Sequence, residues 1–283
     1  MGGFSLHRVL ETVTESGASK GLRVSRVWWE LWVARDLVWQ LVRRDLLVRA
    51  RGSFLSMFWN ISQPILWLLL FLVLNRSGVL HTESGRIPYA LHAYLGVWTW
   101  SLFSQMLQKS SASMLEGATL VTKVRFPHEA LVLAGCTRAF FDWMCGSVIF
   151  ALLCVWTATV PALTILALPL ALLPLVLLGM GLGFILGVAS LVVRDIFYAL
   201  PFLLPFWMLL SPVMYDLPTH GAWRVAQWAN PVVPVLGAVR SAAFGLPWLS
   251  AETWGLWCAG AFTVLVLGCL LFRLMTPRLA EYA

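Results

Sequence analysis

Long uncharged runs separated by short charged ones dominate this chain. A helix needs about 20 residues free of uncompensated charge to cross a hydrocarbon core. Such runs lie at Gly52 to Asn75, Ile87 to Gln108, Ile196 to Tyr215 and Thr253 to Phe272. The run from Trp143 to Val193 is long enough for two spans joined near Pro161. The pattern therefore predicts an all-α, polytopic membrane protein with six transmembrane helices. Val225 to Val239 is also apolar, but Asn230, Pro231 and Pro234 interrupt it and Arg224 and Arg240 bracket it. It reads as an extracytoplasmic re-entrant pair of short helices between spans 5 and 6; a kinked seventh span is the alternative.

Ahead of the first run, Trp28, Leu31, Trp32, Val38, Trp39, Val42 and Leu46 recur at helical spacing, with Arg26, Glu30, Gln40 and Arg44 largely opposite. This predicts an N-terminal amphipathic helix lying in the membrane interface, although Arg35 falls on its apolar face and Leu37 on its polar one. Three regions follow: an N-terminal segment at 1–51, a six-helix domain at 52–272 and a tail at 273–283. Met1 to Ser25 lacks the apolar centre of a cleaved signal, so the segment is expected to stay on the protein. In the fourth span, Gly179, Gly183 and Gly187 repeat every four residues, a stripe that lets another backbone come close.

Composition agrees with the runs. The 283 residues are 60% hydrophobic and 12% charged, with a mean hydropathy of +0.81 and sixteen Trp, far from the roughly 25% charge of soluble domains. The net charge of +7 is a matter of topology. With six spans, sixteen of the twenty Lys and Arg fall on the side shared by the two termini, against Arg76, Arg86, Arg224 and Arg240 on the other. The positive-inside rule then puts both termini in the cytoplasm, and nothing calls for nucleic acid. The five cysteines have no metal-site spacing and read as packing residues. Asp142 is expected to pair with Arg138 one turn away, and His92 to be a hydrogen-bonded packing residue.

Enzyme signatures are missing. The sequence contains no GxxxxGK[ST] phosphate loop, no HExxH and no paired aspartate motif. Any ATP drive must come from another polypeptide.

Several segments carry a family resemblance. RDLLVRARGSFLSMFWNISQPILWLLLFLVL from Arg44 to Leu74 resembles the opening of ABC-2 type permeases that export O-antigen, teichoic acid and related envelope polymers. LVTKVRFPHEALVL from Leu120 to Leu133 is similar to that family's basic, proline-containing turn after the second span. RDIFYALPFLLPFWMLLSPVMY from Arg194 to Tyr215 resembles its fifth-span entry, and Asn230, Pro231 and the helix through Arg240 its re-entrant pair.

The resemblance implies a homodimer in the bacterial inner membrane with two copies of a separate nucleotide-binding ATPase subunit. ATP and Mg would bind there, with no cofactor on this chain. The cargo it implies is a lipid-linked (undecaprenyl-pyrophosphate) glycan. ATPase coupling falls to Glu116, Lys123, Arg125, Phe126, Pro127, His128, Arg194 and Asp195. Arg43, Arg44, Arg49 and Arg51 lie where guanidinium forks meet lipid phosphate or the cargo's pyrophosphate. A wet sugar path needs aromatic platforms and polar groups, which Trp59, Asn60, Gln63, Trp98, Trp100, Ser101, Ser104, Gln105 and Gln108 supply. Pro212, Tyr215, Asn230, Pro231 and Arg240 fall at an outer gate. The alternatives are an ABC-2 permease for a drug, haem or simple lipid, and a membrane-embedded enzyme acting on polyprenyl phosphate.

Overall fold

A computed structural model describes residues 38–44, 47, 54–78, 87–116, 128–215 and 229–279. Every regular element among them is helical. In chain order these are α1 (Phe54–Arg76), α2 (Tyr89–Glu116), α3 (Glu129–Trp156), a short 3-10 turn (Leu163–Ala167), α4 (Leu168–Val192), α5 (Asp195–Leu210), α6 (Val232–Phe244) and α7 (Ala251–Leu279). Residues 38–44 are also helical, with Val42 fully buried and Trp39 exposed.

Helix α2 is the centre. Eighteen of its 28 residues are buried, and α1, α3, α4, α5 and α6 all pack on it. It runs two turns beyond the expected end at Gln108, because Lys109, Ser110, Ser111 and Ser113 are covered by protein instead of leaving the bilayer. Ser111 and Ser113 donate to the carbonyls of Leu107 and Ser110 at 3.0 and 2.8 Å, which satisfies their hydroxyls within the helix.

The glycine stripe of α4 finds its partner in this same chain. A Cβ on Gly179 would meet Met106 Sδ at 3.0 Å, one on Gly183 would meet Ser110 Oγ at 2.8 Å, and one on Gly187 would meet Met114 Cγ at 3.0 Å. The steps 106, 110 and 114 against 179, 183 and 187 show that α2 and α4 run parallel. A second small-residue crossing holds α7 on the far side of α4. There a Cβ on Gly181 would strike the backbone nitrogen of Leu265 at 2.7 Å, and Gly268 lies against the Gly181 carbonyl. In both crossings dispersion between closely apposed backbones replaces the hydrophobic drive that lipid cannot supply.

Exposed apolar side chains cover the outside: Val160 is 87% exposed, Leu163 88% and Val155 79%. Patches of this kind are untenable in water and ordinary against lipid. Among the described residues, three helical stretches are long and apolar enough to cross a membrane: Glu129–Trp156, Leu163–Val192 and Ala251–Met275. Ser62–Arg76, Asp195–Leu210 and Val232–Phe244 are shorter apolar helices. The chain is thus an all-helical, multi-pass membrane protein.

Helix α5 ends early for a local reason. Ser211 precedes Pro212, which disfavours the helical conformation at the preceding residue, and Ser211 adopts φ −95°, ψ 141°. Its N–H still reaches back to the carbonyls of Trp207 and Met208, both at 3.1 Å. Helix α6 stops at Gly245, whose φ of 67° closes the helix in the left-handed region.

Candidate functional site

Helices α1, α2 and α5 meet along a partly open groove, whose space counted out into solvent is about 540 Å3. Gln63, Pro64 and Trp67 form the α1 wall, and Pro201, Leu204, Pro205 and Met208 the α5 wall. The α2 wall is formed by Val97, Trp100, Ser101, Ser104, Gln105 and Gln108. Its polar members recur at i, i+3, i+4 and i+7, so one face of a mostly buried helix becomes the wettable side of the groove. On α5, Pro201 and Pro205 each withdraw a backbone donor from the helix ladder. Trp100 is held edge-on by Phe103 and Trp207, at ring-centroid distances of 5.6 and 5.8 Å.

Of the residues expected along a polar path, Gln63, Trp100, Ser101, Ser104, Gln105 and Gln108 are thus brought together. Trp98 is not among them. It is only 3% exposed, stacks on Trp143 of α3 at 4.5 Å and 9°, and donates its indole N–H to the Trp143 carbonyl at 2.8 Å. Tyr94 repeats the arrangement one turn away, its hydroxyl donating to the Gly146 carbonyl at 2.7 Å. Trp98 belongs to the α2–α3 seam. The side chains of Trp59 and Asn60, in α1, lie outside the described residues.

Beside the groove stands a charged pair that sequence reasoning divided differently. Asp142 accepts from the ammonium of Lys109 on α2, and both side chains are largely buried, at 15% and 14% exposure. Lys109 Nζ also donates to Gln105 Oε1 at 2.7 Å. Asp142 therefore has a partner on another helix. The i, i+4 spacing of Gln105 and Lys109 is the signal in the sequence for this contact, and a count of charges by side does not use it.

Near the far end of α2 the expected gate residues converge on the break after α5. Arg240 of α6, 9% exposed, donates through Nη2 to the carbonyls of Val213 at 2.7 Å and Pro212 at 3.3 Å. Asn230 donates from Nδ2 to Ser211 Oγ at 2.8 Å and accepts the Val232 N–H at 3.1 Å, at the start of α6. Pro231 holds the N-cap position of α6. Tyr215 donates its hydroxyl to the Leu209 carbonyl at 2.7 Å. The Val213 carbonyl also lies directly over Gly96 of α2, where any Cβ would collide with it.

The opposite end carries the expected coupling positions. Glu116 ends α2, His128 precedes α3, and Arg194 and Asp195 form the turn into α5, where both are exposed. Lys123, Arg125, Phe126 and Pro127 lie outside the described residues. Glu129, in the first turn of α3, accepts from Arg273 Nε of α7 at 2.9 Å, a bond between residues far apart in the chain. Burial lowers the imidazole pKa of His128 below its ordinary value, with the Glu129 carboxylate acting in the opposite sense. Arg43 and Arg44 are exposed; Arg49 and Arg51 lie outside the described residues. Among the described residues no group of His, Cys, Asp and Glu is arranged to hold a metal ion.

Comparison with known proteins fits this geometry. The family model described as ABC-2 type transporter matches residues 36–244. The O-antigen export system permease protein RfbA of Myxococcus xanthus is 27% identical over 215 residues, which cover 75% of this chain and 82% of that protein. A protein of the same name from Klebsiella pneumoniae is 23% identical over 253 residues, 87% of this chain and 94% of its own length.

Proposed function

The chain belongs to the ABC-2 type transporter family, and from that premise we propose that it exports a lipid-linked cell-envelope polysaccharide, such as O-antigen, teichoic acid or capsule, across the bacterial inner membrane. It is a transmembrane permease of an ABC transporter, a transport subunit rather than an enzyme. Permeases of this family work with a separate ATPase subunit.

The groove carries the proposal. In a body whose outer surface is apolar, one concave face presents two indoles, two hydroxyls and three carboxamides. Sugars pair hydroxyls with amides and lay their C–H faces on aromatic rings, whereas an acyl chain needs neither. The names of the relatives point the same way. In this reading two copies of the chain, each a six-span subunit with a re-entrant pair near α6, face one another and enclose the path between their grooves. Two ATPase subunits, holding ATP and Mg, press from the cytoplasm on the segment between Glu116 and His128 and on the Arg194–Asp195 turn. Arg43, Arg44, Arg49 and Arg51 meet the pyrophosphate at the membrane surface. The corner around Pro212, Tyr215, Asn230, Pro231 and Arg240 closes the outer end.

The test is purification of the chain from its native membrane, paired with a deletion strain. A co-purifying ATPase whose turnover rises with lipid-linked glycan, together with loss of surface polysaccharide on deletion, is the expected result. A chain that purifies alone, and whose deletion leaves surface polysaccharide intact, overturns the proposal.

A further inference from the structure

The α2 wall of the groove has a fixed hydrogen-bonding polarity. Lysine has three donors and no acceptor, so the contact of 2.7 Å between Lys109 Nζ and Gln105 Oε1 dictates which end of the amide faces it. The oxygen turns toward Lys109, and the –NH2 group is the end left to the groove that Gln105 lines. Asp142 anchors the ammonium from α3, so the lysine is held from two sides.

The two serines are oriented in the opposite sense. Ser101 Oγ donates to the Trp98 carbonyl at 2.7 Å and Ser104 Oγ to the Ser101 carbonyl at 3.3 Å. Each hydroxyl commits its single proton to its own helix, and lone pairs are what remain for the groove. Along one face of α2 the groove thus presents acceptor, acceptor and donor, at Ser101, Ser104 and Gln105.

Resting on the exporter reading, we infer that Lys109, braced by Asp142, is a positioning residue that fixes Gln105 as a hydrogen-bond donor to the cargo, giving the groove a polarity matched to a hydroxylated chain. A cargo segment at this level needs donors beside the two serines and an acceptor beside Gln105. Successive sugar hydroxyls supply both, since each can donate and accept. A ligand with acceptors alone, such as a chain of esters, meets lone pair against lone pair at the serines. Lys109 acts through Gln105, and its charge, neutralised by Asp142, remains behind the wall.

The experiment measures transport of lipid-linked glycan in membrane vesicles that hold the complete transporter, giving KM and kcat for the wild type, Gln105→Glu, Lys109→Arg and the double variant Lys109→Met/Asp142→Leu. Gln105→Glu keeps the contact with Lys109, now as an ion pair, but has no donor to offer. It is expected to raise KM about 3- to 10-fold, the worth of one hydrogen bond. The double variant removes both charges, avoids a buried unpaired ion, and is expected to raise KM by a similar factor because the amide is free to flip. Lys109→Arg, also a pure donor, recovers most of the affinity. An unchanged KM in Gln105→Glu, or Lys109→Arg as impaired as the double variant, overturns the inference while leaving the exporter reading intact. Wild-type vesicles that move no glycan overturn both.

Discussion

Arg240 and Val213 are joined by a buried hydrogen bond of 2.7 Å, from the Nη2 of one to the carbonyl of the other. The bond matters because α5 has already ended: beyond Ser211 no helix turn supplies a donor to these carbonyls, and a guanidinium from α6 takes that part. Replacing Arg240 by Met strands the Val213 and Pro212 oxygens in a buried corner. The expected cost is about 1–3 kcal/mol, read as a lower thermal midpoint in detergent. Arg240→Lys, with one point donor in place of a fork, should fall between.

Gly96 lies beneath the same carbonyl. Gly96→Ala puts a methyl into the Val213 backbone, which must move and drag the corner with it. The substitution is expected to destabilise by about 1–3 kcal/mol or more. Gly237→Ala in α6 is the matched control, since nothing lies within 4 Å of its added Cβ; there alanine's better helix propensity is expected to leave stability unchanged or raise it by up to about 1 kcal/mol. Thermal melting of the two variants side by side checks both.

Trp98 and Ser104 separate folding from transport. Trp98→Ala empties the stack against Trp143 and leaves a buried carbonyl, an expected loss of about 3–5 kcal/mol visible as poor membrane abundance. Ser104→Ala removes a groove oxygen and little packing. Its abundance should stay normal while glycan export slows. Equal abundance and equal export for both variants would contradict the division of α2 into a seam and a groove wall.

His128 gives stability a pH dependence. Its folded pKa lies below the ordinary 6.5, so in the window beneath that value the unfolded chain binds more protons than the folded one. The imidazole's contribution is therefore present above pH 6.5 and is lost as pH falls toward the lowered value. Midpoints measured between pH 8 and pH 5 should drop on the acid side, and His128→Gln should flatten that drop.

The sequence made much of this legible, and its failures have physical causes. Runs without charge located the helices because a bilayer forbids unpaired charge over their length. The apolar run locates the end of α5 only approximately: it continues to Tyr215, whereas the helix stops at the Ser211–Pro212 step, and hydropathy does not register a proline's effect on the residue before it. The α2 run was cut at Gln108 because Lys109 and three serines resemble an exit into water; in the fold Asp142, Cys136 and the glycines of α3 and α4 surround them. Trp98 misled for a related reason. Seven residues make nearly two turns, so it lies within about 20° of Gln105 around the helix axis, and only the position of α3 decides that one is covered and the other is not.

A last consequence concerns biosynthesis. The polar residues that make α2 a poor membrane span by itself are answered by Asp142 and Cys136 on α3 and by the glycines of α4, all of which lie later in the chain. When α2 leaves the ribosome those partners do not yet exist. The expected consequence is a helix that waits at the insertion machinery until α3 and then α4 arrive, so that the same contacts that define the finished core also set the order in which it is built.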